Sequence, residues 1–328
     1  MKLAAVIALN RFCFAMNLDE EVRKGYTISA EMKKVWKIQL DLLKMLLQVC
    51  EQHHLRIWVE GGTLLGAVRE QGYIPWDDDI DMAMLREDYD KLVEIAPQAF
   101  KHPYFFQCGY TERIYPRGHA QLRMDGTTAI LPHPAFLDTH QGIFIDIFPY
   151  DYMPDGKKEL TELIKKRNEM MAKLEHFSFF DILHPVRSFL YLIKRDSFQK
   201  EYRKFEDIFR AYSACNCSSV CCLSFIADTD HYLRDIKWYD STIWMPFEDI
   251  QVPVPSGYHY ILSKQYGDYM TPLKLGSNHG GFWKLDADTS YTTYLPELKE
   301  YVASRVNNRR KERIQRFLKR IRSKFFYA

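Results

Sequence analysis

EGGTLLGAVREQGYIPWDDDIDMAM, residues 60–84, opens on Glu60 and a Gly-Gly pair and closes around four aspartates within five residues: Asp77, Asp78, Asp79 and Asp81. Carboxylates this close repel one another and lose hydration on burial. A bound cation offsets both effects, and hard divalent ions such as Mg²⁺ take carboxylate oxygens, with substrate phosphates completing the shell. The competing reading is a solvated acidic turn. The apolar flanks argue against it: Ile74-Pro75-Trp76 leads in, and Ile80, Met82 and Met84 alternate on the way out. That alternation predicts a half-buried strand with Asp79 and Asp81 on one face. Before it, Leu55, Ile57 and Val59 predict a strand running into Gly61-Gly62, and Thr63–Glu70 has the composition of a short helix stopped at Gly72. A helix beginning at the glycines turns its free N–H groups toward a phosphate.

Upstream, Ser29 is a candidate N-cap for a long helix reaching Gln52, with Val35, Ile38, Leu42, Met45, Leu46 and Val49 at helical spacing. This helix reads as core packing without chemistry. Downstream, Arg86–Ala99 is a second amphipathic helix. The chain then reads as β-rich: Tyr104–Cys108, Ala120–Met124, Thr127–Leu131 and Gly142–Ile147, with Asp125-Gly126 as a hairpin turn signal. In Gly142-Ile-Phe-Ile-Asp-Ile-Phe-Pro149 a lone Asp146 sits inside an apolar strand. It is either a hydrogen-bonded structural carboxylate or a metal ligand, and beside Asp79 and Asp81 the third-ligand reading is preferred. Residues 157–215 are helical in segments divided near Asp181–Pro185, with one stripe from Leu160 and another from Phe189, Leu192 and Ile193. Short strands follow at Val220–Phe225, Ile243–Phe247 and Val252–Gly257, then a helix over Tyr258–Tyr269. Arg305–Lys324 is a basic amphipathic helix, open between packing on the body and attachment to an anionic membrane surface.

The whole chain has 328 residues, 47% of them apolar and 15% aromatic, which indicates a folded protein with a substantial core. A net charge of +2 gives no case for nucleic acid. Seven scattered cysteines fit reduced thiols better than a disulfide framework, and the cluster from Cys215 to Cys222 reads as packing rather than a zinc site. No apolar run is long enough to span a bilayer. Leu3–Leu9 is faintly like a secretory signal, but Asn10 and Arg11 cut it short, and Met16 is an alternative start. The expected location is cytoplasmic, with peripheral contact at the inner face of the membrane through the basic tail.

The order strand, Gly-Gly turn, helix, Asp-x-Asp strand, β segments and single-Asp strand resembles the signature of the polymerase-β-like nucleotidyltransferase superfamily. More narrowly, GGTLLGAVREQGYIPWDDDIDMAM resembles the LicD family, which includes fukutin-related enzymes. Arg86 with Asp88-Tyr89, Gly142–Pro149, Val254-Pro-Ser-Gly-Tyr258 and Tyr266-Gly-Asp-Tyr-Met270 extend the match. The resemblance implies an α+β fold: a nucleotidyltransferase-like mixed sheet flanked by helices, with an added helical layer. It divides the chain into an N-terminal extension (1–28), a catalytic domain (29–296, helical insertion about 157–215) and the basic C-terminal helix (297–328). It further implies Mg²⁺- or Mn²⁺-dependent transfer of a phospho-alcohol, phosphocholine first, from a CDP-alcohol donor such as CDP-choline. The acceptor is a glycan or lipid-linked glycan of the lipopolysaccharide or teichoic acid kind, and CMP is released. By position, Gly61, Gly62 and Thr63 would hold the donor diphosphate, and Asp79, Asp81 and Asp146 the metal. Arg69 and Arg123 are candidate phosphate clamps, each equally open to a structural ion-pair role, and Asp77 and Asp78 would hold the loop. Rival readings are a nucleotidyltransferase that releases pyrophosphate and a non-catalytic glycan-binding module. Aromatic content does not separate choline from ribitol or glycerol.

Overall fold

The computed structural model describes residues 16–131, 139–183, 195–213, 217–225, 228–272 and 282–304. The apolar N-terminal stretch, Cys13, Cys215, the stripe of Phe189, Leu192 and Ile193, and the basic tail from residue 305 lie outside the described residues. In chain order, β1 (Glu21–Arg23) and β2 (Tyr26–Ile28) precede α1 (Ala30–Gln52), β3 (Trp58–Val59), α2 (Gly61–Arg69), β4 (Asp81–Leu85) and α3 (Arg86–Ala99). Then come β5 (Tyr104–Gln107), β6 (Ala120–Met124), β7 (Thr128–Ile130), β8 (Phe144–Met153), α4 (Lys157–Leu183) and α5 (Arg195–Arg210). The remainder is β9 (Ser219–Cys221), α6 (Thr229–Tyr232), β10 (Arg234–Asp235), β11 (Thr242–Phe247), β12 (Ile250–Pro255), α7 (Tyr258–Tyr266) and β13 (Lys284–Asp286).

The class is α+β. A seven-stranded mixed sheet is built on β4 and β8, which pair in parallel from Asp81↔Asp146 to Leu85↔Tyr150. β3 flanks β4 antiparallel. Along the other edge of β8, β6 covers residues 144–147 and β9 covers residues 151–153, both antiparallel. β8 continues past the expected end at Ile147 and runs through Pro149. That proline has no N–H to offer, and it falls in the interval between β6 and β9, where that edge has no partner strand.

The expected helix α1 forms with Ser29 as its cap, the hydroxyl accepting the Met32 N–H at 3.2 Å. The expected hairpin at Asp125-Gly126 does not form. Gly126 does turn the chain, at φ +77°, but β7 pairs with the distant β13. The reason is that both edges of β6 are already taken, by β5 and β8. The strand expected over Val220–Phe225 is likewise shorter, ending at Cys221. Cys221 and Cys222 are buried, and burial pushes the Cys221 thiol up to about 12, as suits small apolar fillers.

α4 and α5 pack on one another through Leu163, Leu174, Phe205 and Phe209, and the same cluster takes in Met153, Cys221 and Leu223 from the sheet side. The helical layer therefore shares a core with the sheet. Charge ties the two as well. Arg86, buried at the start of α3, donates to Asp151 of β8 at 2.5 Å and lies 3.5 Å from Glu206 of α5. Among the described residues, no helix is long and apolar enough to cross a membrane. Replacing Arg86 leaves the buried Asp151 without its cation, while Glu206 keeps Arg210 at 3.0 Å, so Arg86→Met is expected to destabilise the fold by about 3–5 kcal/mol in urea denaturation.

Candidate active site

The parallel register makes Asp81 and Asp146 direct cross-strand partners, and Gln121 of β6 is the partner of Asp146 on its other side. Side chains at paired positions share a face, so Asp81, Asp146 and Gln121 stand in a row across three strands. Asp79 is not part of the strand as expected. It precedes β4 in irregular chain, yet it comes to the same place: one carboxylate oxygen each from Asp79, Asp81 and Asp146 lies within 4.8 Å of the others. Asp77, Asp78 and Asp79 form a second such group.

The two central carboxylates are tuned in opposite directions. Burial, with the charges of Asp79, Asp146, Asp77 and Glu60 behind it, holds the Asp81 carboxyl well above its ordinary range. Burial also opposes ionisation of Asp146, but it is outweighed by the His119 hydrogen bond, the charge of Arg117 and the Gln121 amide, which together hold Asp146 below its ordinary range. His119 Nε2 and Gln121 Nε2 meet the same oxygen, Oδ1, at 3.0 and 2.7 Å. Burial keeps the His119 imidazole neutral, so Nε2 carries the proton given to Asp146.

The acidic loop is held from behind by α1. Trp36 Nε1 donates to the Asp77 carbonyl at 3.0 Å, and Gln39 Nε2 donates to the Asp78 carbonyl at 2.8 Å. Tyr73 stacks on Trp36 at 4.3 Å and donates to Gln39 Oε1. The helix expected to be packing alone thus carries the loop's anchors, buried polar groups hidden inside an apolar stripe.

α2 begins at the glycines, as expected. Gly61 has φ +53°, and a Cβ there would stand 3.1 Å from Asp81 Oδ2; one on Gly62 would stand 2.6 Å from Asp77 Oδ2. Carboxylates, not open space, face this helix end, where they gain from the dipole. The Thr63 hydroxyl is buried and accepts the Asp81 N–H at 2.9 Å, so its side chain positions Asp81 instead of reaching a donor.

Neither arginine expected as a phosphate clamp is placed for it. Arg69 lies at the far end of α2, bonded to Glu70 at 2.7 Å and to the Tyr269 carbonyl at 2.9 Å. Arg123 is buried, its nitrogens bonded to Gln107, Gln121 and the Gly142 carbonyl, and burial lowers it to about 10. By fixing Gln121 it supports Asp146 from one residue away. Sequence reasoning missed His119 and Gln121, although His119, Gln121 and Arg123 alternate in sequence from just before β6 into it. It also missed Arg117, whose charge reaches both Asp146 and His119. Arg234 was missed too; it grips Glu60 with both terminal nitrogens from 174 positions away. Tyr266, within the expected motif, brings its hydroxyl to 4.0 Å from the Cβ position of Gly61.

Three converging carboxylates are a hard-oxygen donor set suited to Mg²⁺ or Mn²⁺. Residues 54–179 match the LicD/FKTN/FKRP nucleotidyltransferase domain. Over that stretch the chain is similar to the LicD family. The lipopolysaccharide cholinephosphotransferase LicD of Haemophilus influenzae is 27% identical over 242 residues, 70% of this chain and 88% of that one. An uncharacterized protein of Rickettsia prowazekii is 43% identical over 100 residues, 30% of this chain and 34% of that one. The human ribitol 5-phosphate transferase FKRP is 50% identical over 40 residues, 12% of this chain and 8% of that one.

A carboxyl raised by folding favours the folded state below its ordinary range, and that advantage is lost as pH rises through the folded value. Without divalent cation, Asp81→Asn is therefore expected to melt above wild type at pH 7, with the gap closing toward about pH 4. Saturating Mn²⁺ should raise the wild type alone, as followed by thermal unfolding across pH.

Proposed function

We propose that this chain transfers a phospho-alcohol, phosphocholine first, from a CDP-activated donor to a hydroxyl of a cell-surface glycan or its lipid-linked precursor, releasing CMP. The observation that carries the reading is the convergence of Asp79, Asp81 and Asp146 within 4.8 Å inside the family's matched domain. The transferase named for Haemophilus influenzae, similar over 88% of its length, supports the choice of alcohol.

In this reaction the acceptor oxygen bonds to the phosphorus bearing the alcohol, the bond from that phosphorus to the CMP oxygen breaks, and the acceptor proton leaves to solvent. Asp79, Asp81 and Asp146 would hold a divalent ion, which when bound would supply charge neutralisation for the diphosphate and lower the pKa of the acceptor hydroxyl. The chain supplies position. His119 and Gln121 fix one oxygen of Asp146, Thr63 fixes the backbone of Asp81, and Trp36 and Gln39 fix the loop carrying Asp79. Preorganised charge of this kind costs no rearrangement as the reaction proceeds. Arg117, whose charge helps to hold Asp146 ionised, is a candidate for meeting the donor phosphates.

Incubation with Mg²⁺ or Mn²⁺, a glycan acceptor and CDP-choline, CDP-ribitol or CDP-glycerol is expected to release CMP. Asp79→Asn and Asp146→Asn should lower kcat by at least about 10²–10³-fold. Pyrophosphate from CTP with no CMP from any donor contradicts the reading.

A lipid-linked acceptor gives the basic tail a role, since a sequence that mixes arginines and lysines with apolar residues suits an anionic bilayer surface. A chain ending at Asn307 is expected to lose co-sedimentation with phosphatidylglycerol vesicles; full retention contradicts that role.

A further inference from the structure

Beside Asp146 three rings close a triangle. Phe225 lies 4.6 Å from His119 at 82° and 4.9 Å from Phe148 at 39°, and His119 lies 4.7 Å from Phe148. His119 and Phe148 are buried, while Phe225 is 44% exposed. The triangle is tied to the carboxylates twice. His119 bonds directly to Asp146, and Phe148 follows Asp146 by two positions in β8, on the same face.

The exposed ring is also held firmly. Arg167 of α4 donates to the carbonyls of Leu223 at 2.9 Å and Phe225 at 2.7 Å. The preceding carbonyl, of Ser224, packs so tightly on Gly118 that a Cβ there would come within 1.9 Å of it. A solvent-exposed phenylalanine gains nothing from water, yet here backbone and packing fix it at the edge of an acidic centre.

We propose that Phe225, backed by Phe148 and His119, is the wall of the subsite for the donor's alcohol, and that it selects a quaternary ammonium over a polyol. The proposal rests on the phospho-alcohol transfer reading above. A trimethylammonium has no hydrogen to donate and is held by aromatic faces and nearby negative charge, and both are present. A ribitol chain requires hydrogen-bond partners for each hydroxyl it takes out of water. Two phenylalanines offer none, the Nε2 of His119 is already engaged by Asp146, and its Nδ1 is buried away from the exposed face of the triangle. The reach is appropriate as well. One imidazole ring separates Asp146 from Phe225, and a two-carbon spacer separates the phosphate ester oxygen of phosphocholine from its ammonium.

The test uses the full chain with Mg²⁺ and measures Kd for CDP-choline, CDP-ribitol, CMP and the CDP ester of 3,3-dimethylbutanol, the neutral isostere of choline. Wild type is expected to bind CDP-choline at least about 5-fold more tightly than the ribitol donor and the neutral isostere. Phe225→Leu, which keeps apolar bulk and removes the ring face, should weaken CDP-choline about 5–30-fold while leaving CMP unchanged, and Phe225→Tyr should stay near wild type. Unchanged CDP-choline affinity in Phe225→Leu overturns the proposal. So does an equal loss of CMP, which places the ring under the base, or equal wild-type affinity for the charged and neutral isosteres. CMP release from CDP-ribitol in preference to CDP-choline overturns it while leaving phospho-alcohol transfer standing. Release from no CDP-alcohol removes both.

Discussion

The parallel pairing of β4 with β8, in the one register that sets Asp81 opposite Asp146, is the constraint on which the rest of the structure depends. A slip of one residue would turn one of the two carboxylates to the other face of the sheet. The register is held from several directions. Asp146 N–H donates to the Ile80 carbonyl at 2.9 Å, Glu60 N–H donates to the Asp81 carbonyl at 2.9 Å, and the Thr63 hydroxyl takes the Asp81 N–H. Apolar residues between the acids, Ile80, Met82 and Ile147, are fully buried and permit no other face inward.

Around this pair the protein separates two kinds of buried charge. Away from the centre, charges are matched: Arg234 with Glu60, and Arg86 with Asp151 and Glu206. At the centre, burial and the charges of the neighbouring carboxylates hold the Asp81 carboxyl raised. Matched pairs hold a scaffold in place, whereas a buried carboxyl raised by its neighbours stores a preference for an incoming cation. His119 and Gln121 sharpen this asymmetry by keeping Asp146 ionised while fixing its orientation.

Much of this was legible in the sequence because it is local. The cap at Ser29, the start of α2 at the glycines, the acidic run and the lone Asp146 each announce themselves within a few residues. What was not legible is what depends on distant pairing. The partner of β7 lies some 150 residues away in β13, so an Asp-Gly turn, sound as a turn, misled as a hairpin. Trp36 and Gln39 looked like members of a packing helix because their role appears only when the loop at 77–78 folds over them. Arg69 and Arg123 looked like clamps because arginine suits phosphate, but their donors are engaged by neighbours that spacing alone does not reveal.

Crystals of the protein soaked in Mn²⁺ and measured at the manganese edge test the account at its centre. Anomalous peaks coordinated by Asp79, Asp81 and Asp146 together, at roughly 2.0–2.3 Å as expected for hard oxygen ligands, are the predicted result. Manganese bound only at Asp77 and Asp78, or absent from the Asp81–Asp146 pair, would contradict it.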